Sequence, residues 1–296
     1  MNATESLLEP GFVRKLEALS LVSRRIFPGR SQGERRSPRR GASVEFAEYR
    51  EYAFGDDLRY VDWKAYGRLD RLYVKQFIDE EDLNLHLILD TSQSMGFGEP
   101  VTKSLFAARA AAALGYLALS EFDRVSLISY SEALKETLPH LRGKSSVPNM
   151  LRFLQRGVDV SGESNAGKAI GRYASTARNI GVAIVFTDGY DDTLKEGLRA
   201  LTGHGFQAVV IHILGEDELS PDLAGDFLFE DSETGETRDI SASPYLLGLY
   251  DARLKEFCAT VERDCKRYNA SYVRISTATP VQDVILTSLR RIGVVY

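Results

Sequence analysis

Apolar residues in this chain fall into short unbroken runs separated by longer stretches of mixed pattern. Leu83, Leu85, Leu87, Ile88 and Leu89 make the first clear run, the length of a strand buried on both faces. It stops at Asp90, and small hydroxylated residues follow: Thr91, Ser92 and Ser94. A second run, Gly181 to Phe186, ends in Thr187-Asp188-Gly189. Phe206 to Leu214, Ser271 to Ile275 and Arg124 to Tyr130 read as further strands, and Ala133 to Leu138 as an antiparallel neighbour of the last. Lys103 to Ser120 is apolar nearly all round, the pattern of a helix buried against a sheet. Val147 to Gln155, Ala166 to Arg178, Thr193 to Thr202, Tyr245 to Tyr268 and Val281 to Ile292 complete the predicted helices. The alternation predicts an α/β fold over residues 81–296: a doubly wound, mostly parallel sheet with helices on both faces. Residues 216–242 interrupt it with ten acids against Arg238, and FLFEDSETGETRDI within them reads as a hairpin turning at Glu233 to Gly235.

Residues 1–80 have a different character and form a separate N-terminal segment in this reading. Leu7, Leu8, Phe12, Val13, Leu16, Leu19 and Leu21 predict an amphipathic helix over residues 4–27, interrupted at Pro10-Gly11. Arg24 to Arg40 carries seven arginines and one glutamate, a local charge of +6, with Pro28, Gly29, Gly33 and Pro38 opposing regular structure. It is either a solvated loop or a docking strip for an acidic partner, anionic lipid or nucleic acid, and the acidic hairpin is one surface that opposite charge would let it bind. Residues 41–78 mix both charges densely with aromatics and read as a brace or a partner-binding surface. There Asp56 is expected to cap a short helix running through Lys64, with Trp63 on it, and Leu72 to Phe77 alternates like a strand.

Composition narrows the function classes. Lys plus Arg is 37 and Asp plus Glu is 42, a net charge of −5 that argues against bulk nucleic-acid binding. Neither an apolar stretch of about 18 residues nor a signal-peptide profile is present, so a cytoplasmic protein without a transmembrane segment is expected. Cys258 and Cys265 lie two helical turns apart, roughly 10 Å, which keeps them as separate thiols. His86 and His212 fall in predicted strands and read as core or edge residues.

The chemistry concentrates at the strand ends. One carboxylate and two hydroxyls spaced as Asp90-x-Ser92-x-Ser94 suit a small hard cation such as Mg²⁺, which takes six oxygens and few direct carboxylates. Ser161 to Gly167 is a polar turn opening a helix and brings further oxygens. Together, this loop, a middle hydroxyl and a strand ending in Thr187-Asp188-Gly189 resemble the metal-ion-dependent adhesion site of von Willebrand factor A domains. The resemblance implies Asp90, Ser92, Ser94 and Asp188 as ligands, directly or through water. Ser164 stands at the middle position, where that family usually has Thr. The ion would be Mg²⁺, with Mn²⁺ or Ca²⁺ as alternatives.

A second resemblance covers about residue 30 to the C-terminus. Glu45-Phe46, Arg50-x-Tyr52, Gly55-Asp56-Asp57-x-Arg59-x-x-Asp62-Trp63 and Leu72-Tyr73-Val74-Lys75, followed by Asp90-x-Ser92-x-Ser94-Met95, resemble the bacterial domain of unknown function 58 family. That family places this block ahead of a von Willebrand factor A-like domain. The resemblance implies a non-enzymatic, metal-dependent protein-binding module, an adaptor or assembly factor working with a MoxR-type AAA+ ATPase. The ATPase or its client would supply an Asp or Glu to the metal.

Enzyme readings fit fewer residues. Gly162 to Lys168 nearly spells a phosphate-binding loop, but Ala169 stands where a Mg²⁺-binding hydroxyl belongs. A phosphotransferase using Asp90 as nucleophile needs a general acid two residues on, and Ser92 occupies that place. Metal-assisted hydrolysis needs a general base, for which the sequence offers no obvious candidate.

Overall fold

The computed structural model describes residues 7–8, 11–16, 44–56, 58–79, 83–221, 225–230, 237–242 and 244–285. The predicted Arg24 to Arg40 strip and the turn at Glu233 to Gly235 lie outside them. Two compact units emerge: Met1–Ser23 with Leu83–Tyr296, and Arg24–Asp82. By contacts, the N-terminal segment therefore belongs with the larger unit, and the chain after Ser23 makes a separate body before returning at Leu83.

In the smaller unit, strands β1 (Val44–Glu51) and β2 (Tyr73–Asp79) pair antiparallel. A short helix, Trp63–Leu69, lies between them in sequence. Its cap is Asp62, whose Oδ1 accepts from the amides of Lys64 and Ala65 at 2.9 and 3.0 Å. Asp56, expected to cap a helix through Lys64, instead closes a turn: its carboxylate accepts from the Ala53 amide and from Arg50, each at 2.7 Å.

The larger unit is α/β, with a mixed, mostly parallel six-stranded sheet. Its strands are β3 (Asn84–Asp90), β4 (Arg124–Tyr130), β5 (Leu134–Arg142), β6 (Val182–Thr187), β7 (Gln207–Leu214) and, after an antiparallel hairpin of β8 (Gly225–Glu230) and β9 (Thr237–Ala242), β10 (Ser271–Ser276). They lie in the order β10-β7-β6-β3-β4-β5, and only β5 runs antiparallel, paired to β4.

Strand alternation sorts side chains onto two faces. Leu85, Leu87 and Leu89 of β3, Ile184 and Phe186 of β6, and Val209, Ile211 and Ile213 of β7 join one apolar cluster with the buried side chains of helices Lys103–Ser120 and Val147–Arg156. Ile88, Ala183, Val185, Ala208 and Val210 join the other, with helices Ala166–Thr176 and Leu194–Gly203 and with Val261 and Cys265 of helix Pro244–Arg267. A sheet covered on both sides explains why its strands read as continuous apolar runs. Leu7, Leu8, Phe12 and Leu16 belong to the first cluster. Cys258 and Cys265 are free and buried, and His86 and His212 are buried within the sheet.

Connections leave β3 toward β4 on one side and β6 on the other, so the strand order reverses between β3 and β6. In an open α/β sheet the crevice at that switch, beyond the carboxyl ends of the strands, is where ligands bind. Asp90 ends β3, and Thr187-Asp188 ends β6.

Candidate functional site

Asp90 is buried at this switch point. Its Oδ1 accepts from the Ser92 amide at 3.0 Å, which pins the turn after β3. Its Oδ2 accepts three hydroxyls: Thr187 at 2.9 Å, Tyr130 at 3.2 Å and Ser164 at 3.2 Å. Burial, with the neighbouring Asp188 charge second, raises the carboxyl to about 6, against the opposing effect of the Ser92 and Thr187 hydrogen bonds. Strand β3 thus delivers a carboxylate into a ring of hydroxyls, far from bulk water.

The loop after Asp90 forms a 3-10 turn, Gln93–Gly96, with Ser92 leading into it. The Ser92 and Ser94 hydroxyls lie 3.2 Å apart. Backbone bonds sew this turn to the middle loop: Gln93 N–H donates to Gly162 O at 2.8 Å, and Ser161 N–H to Thr91 O at 3.0 Å. Lys135 from β5 ties both loops, donating to Ser161 Oγ at 2.9 Å and Thr91 O at 3.3 Å. The middle loop thereby holds Ser164 against Asp90.

Beyond the predicted residues, the loop after β6 supplies Asp191. The Ser164 hydroxyl is shared between Asp90 Oδ2 and Asp191 Oδ2, at 3.2 Å to each. Asp191 also accepts from the amide of Ala166 and, through Oδ1, from the amide and hydroxyl of Thr193, both at 2.7 Å. Its location three residues beyond Asp188 was the available signal, but an Asp in an Asp-rich turn has no distinguishing spacing.

Asp188 is placed differently from expectation. Its Oδ2 accepts Lys103 Nζ at 2.8 Å, and its Oδ1 the Tyr190 amide at 3.3 Å. Lys103 is itself buried, at 1% exposure, and its ammonium also donates to Glu218 Oε1 at 2.8 Å. The same ammonium lies 5.1 Å from the centre of the Tyr190 ring and 5.9 Å from that of Phe97. Tyr190 in turn donates its hydroxyl to Glu218 at 3.3 Å and stacks on Phe257 with ring centres 4.9 Å apart. Gly189 follows Asp188 at φ +73°, a left-handed turn that an L side chain rarely adopts.

For a hard divalent cation the donor chemistry fits in part. Asp90, Ser92, Ser94, Ser164 and Asp191 offer only oxygens, the type Mg²⁺ prefers. Asp188 is engaged by an internal ammonium instead. Among the described residues, no group of three or more His, Cys, Asp or Glu side chains is arranged as a metal cluster, so any cation here would lean on hydroxyls. The near-miss phosphate loop is closed: the first-turn amides of helix Ala166–Thr176 are taken by Asp191, by Thr193 Oγ1 at 2.9 Å and by Asn165 Oδ1 at 3.0 Å. Those amides are not available to a phosphate.

Comparison with known proteins gives a family and distant likenesses. The profile described as "Protein of unknown function DUF58" matches residues 48–252. An uncharacterised protein of Mycobacterium tuberculosis (strain H37Rv) is 27% identical over 276 residues, covering 91% of this chain and 86% of the relative. An uncharacterised protein of Mycobacterium bovis matches to the same extent, 27% over 276 residues. Among solved structures, a conserved hypothetical protein BatB from Bacteroides thetaiotaomicron is similar with 19% identity and a TM-score of 0.43, covering 71% of this chain and 98% of the other. An aerotolerance-related membrane protein from Bacteroides fragilis has 17% identity and a TM-score of 0.44, covering 71% and 99%. Among the described residues of this chain, no helix is long and apolar enough to cross a membrane.

Proposed function

The chain belongs to the family described as protein of unknown function DUF58, and from that premise we propose that it is a non-enzymatic protein-binding module of von Willebrand factor A type. Its binding centre is the oxygen cluster at the ends of β3 and β6. The observation that carries this reading is the convergence of three segments on one buried carboxylate: Ser92 from the loop after β3, Ser164 from the middle loop and Thr187 from the end of β6 all meet Asp90. Asp90, Ser92, Ser94 and Ser164 would hold Mg²⁺, or Mn²⁺ in its place. A bound cation supplies an electron-poor position for a carboxylate oxygen of a partner.

The chain's own residues set the rest. Tyr130 and Thr187 orient Asp90 by hydrogen bonds to its Oδ2, and Lys135 fixes the loops that carry Ser92 and Ser164. A MoxR-type AAA+ ATPase, or its client, is the proposed partner on the resemblance stated above.

Isothermal titration of the full chain with Mg²⁺ and Mn²⁺ tests the centre, wild type beside Asp90→Ala/Ser92→Ala. Saturable binding that vanishes in the double variant is expected. A wild type that binds neither ion would overturn the metal-dependent reading. A chelator-sensitive pull-down of the purified ATPase, lost in the same variant, would extend the result to the partner.

A further inference from the structure

We propose that Asp191, rather than Asp188, is the second carboxylate of the cation centre, and that Lys103 is a resident counter-ion that holds Asp188 outside it. This rests on the metal-binding reading above. The Ser164 hydroxyl donates to Asp90 Oδ2 and Asp191 Oδ2 alike, at 3.2 Å to each. One polar hydrogen is therefore shared by two carboxylates that reach it from different strands' loops. Rotating that single hydroxyl frees a lone pair on Asp191 Oδ2 and turns one of Ser164 Oγ into the site with no movement of backbone, while Asp90 Oδ2 keeps its Thr187 and Tyr130 hydroxyls. Asp191 is held ready for this by the Thr193 amide and hydroxyl and the Ala166 amide.

Asp188 faces a different situation. Both of its oxygens are engaged, Oδ2 by Lys103 and Oδ1 by the Tyr190 amide. Lys103 is 1% exposed and sits in the first turn of its helix, the end that disfavours a cation. It is stabilised there by Asp188, Glu218 and the rings of Tyr190 and Phe97. Moving Asp188 onto a metal would strip that buried ammonium of a partner and place a second cation beside it. Lys103 thus removes one negative charge from the centre. The cation would be held by Asp90 and Asp191 with neutral hydroxyls between them.

Electron paramagnetic titration with Mn²⁺ separates the two carboxylates, using the full chain and the variants Asp191→Asn, Asp188→Asn and Lys103→Met. Asp188→Asn leaves Lys103 paired with Glu218, so the buried charges stay balanced. We expect Asp191→Asn to weaken Mn²⁺ binding about tenfold or more, the effect typical of losing a ligand or its support. Asp188→Asn should leave affinity within about twofold, well below that range, while Lys103→Met, which releases Asp188 toward the centre, should tighten it. Loss of binding in Asp188→Asn, or unchanged affinity in Lys103→Met, overturns the inference while leaving the cation centre intact. Absence of Mn²⁺ binding in wild type overturns the centre itself. Thermal melts accompany each variant, and if Asp191→Asn melts below the titration temperature, the Asp188→Asn result alone decides.

Discussion

His86 shows how single side chains in this sheet carry pH dependence. It lies on β3 and meets the Tyr173 hydroxyl through Nδ1 at 2.7 Å, with the Phe206 ring 5.1 Å away. Burial first, and the charge of His140 second, lower its pKa from 6.5 to about 4. The folded state therefore prefers the neutral ring, while an unfolded chain binds the proton near pH 6.5. Stability is full above that value and falls as pH drops toward 4, by up to about 3 kcal/mol for this group. Urea denaturation at several pH values should show His86→Gln losing less stability than wild type between pH 6.5 and 4. An unchanged slope would mean that the ring is not held neutral. The same scale explains what the sequence concealed. Asp90, Ser92 and Ser94 were noticeable because they stand at a strand end at short spacing, and Ser164 because it lies in a polar turn that opens a helix. The partnership of Lys103 with Asp188 and Glu218 joins positions 85 and 115 residues apart, and no local pattern announces it.

At the scale of elements, apolar runs and caps decided what could be read. The helix Lys103–Ser120 and the strand Arg124–Tyr130 fall where the pattern places them, because both are buried on nearly every side and their boundaries are set by polar residues. The short helix Trp63–Leu69 was harder. The sequence reading starts it at Asp56, seven residues ahead of Trp63, whereas Asp62 stands immediately before it, and local chemistry does not rank the two. Tertiary context does: Tyr49 on β1 donates its hydroxyl to Asp62 Oδ2 at 2.8 Å, leaving Oδ1 for the helix amides. Asp56 is drawn instead into the turn with Ala53 and Arg50. Asp62→Ala should therefore destabilise this unit by about 1 kcal/mol through the lost cap. Fluorescence of Trp63, the chain's single tryptophan and the first residue of that helix, reports the change directly. Asp56→Ala should shift the same transition less; equal or larger loss there would return the capping role to Asp56.

For the whole molecule, the order of the chain and the order of the fold differ. Residues 1–80 read as one N-terminal segment because their charge and aromatic content set them apart from the strand-rich remainder. Contacts divide them otherwise, since Met1–Ser23 groups with Leu83–Tyr296. The reason is apolar. Leu7, Leu8, Phe12 and Leu16 are buried in the same cluster as Leu87, Phe106 and Ile211, and Leu16 is 0% exposed. Val284 and Ile285, near the other end of the chain, belong to that cluster too, and Lys15 Nζ donates to Gln282 Oε1 at 2.7 Å. The two ends of the larger unit thus share one core, and the smaller unit is inserted between its first segment and β3. An amphipathic pattern at the N-terminus gives the apolar face but not which body it covers, so this connection was beyond sequence reasoning. It has a direct consequence: Leu16→Ala should behave as a core truncation of the sheet domain, costing about 2–5 kcal/mol, although it lies 68 residues ahead of Asn84, the first strand residue of that sheet. Hydrogen exchange of the β3 and β6 amides measures it. Protection there should fall in Leu16→Ala to a degree comparable with Leu127→Ala inside β4. If β3 and β6 kept their full protection, the N-terminal segment would be an appendage of the sheet and the apolar cluster would close without it.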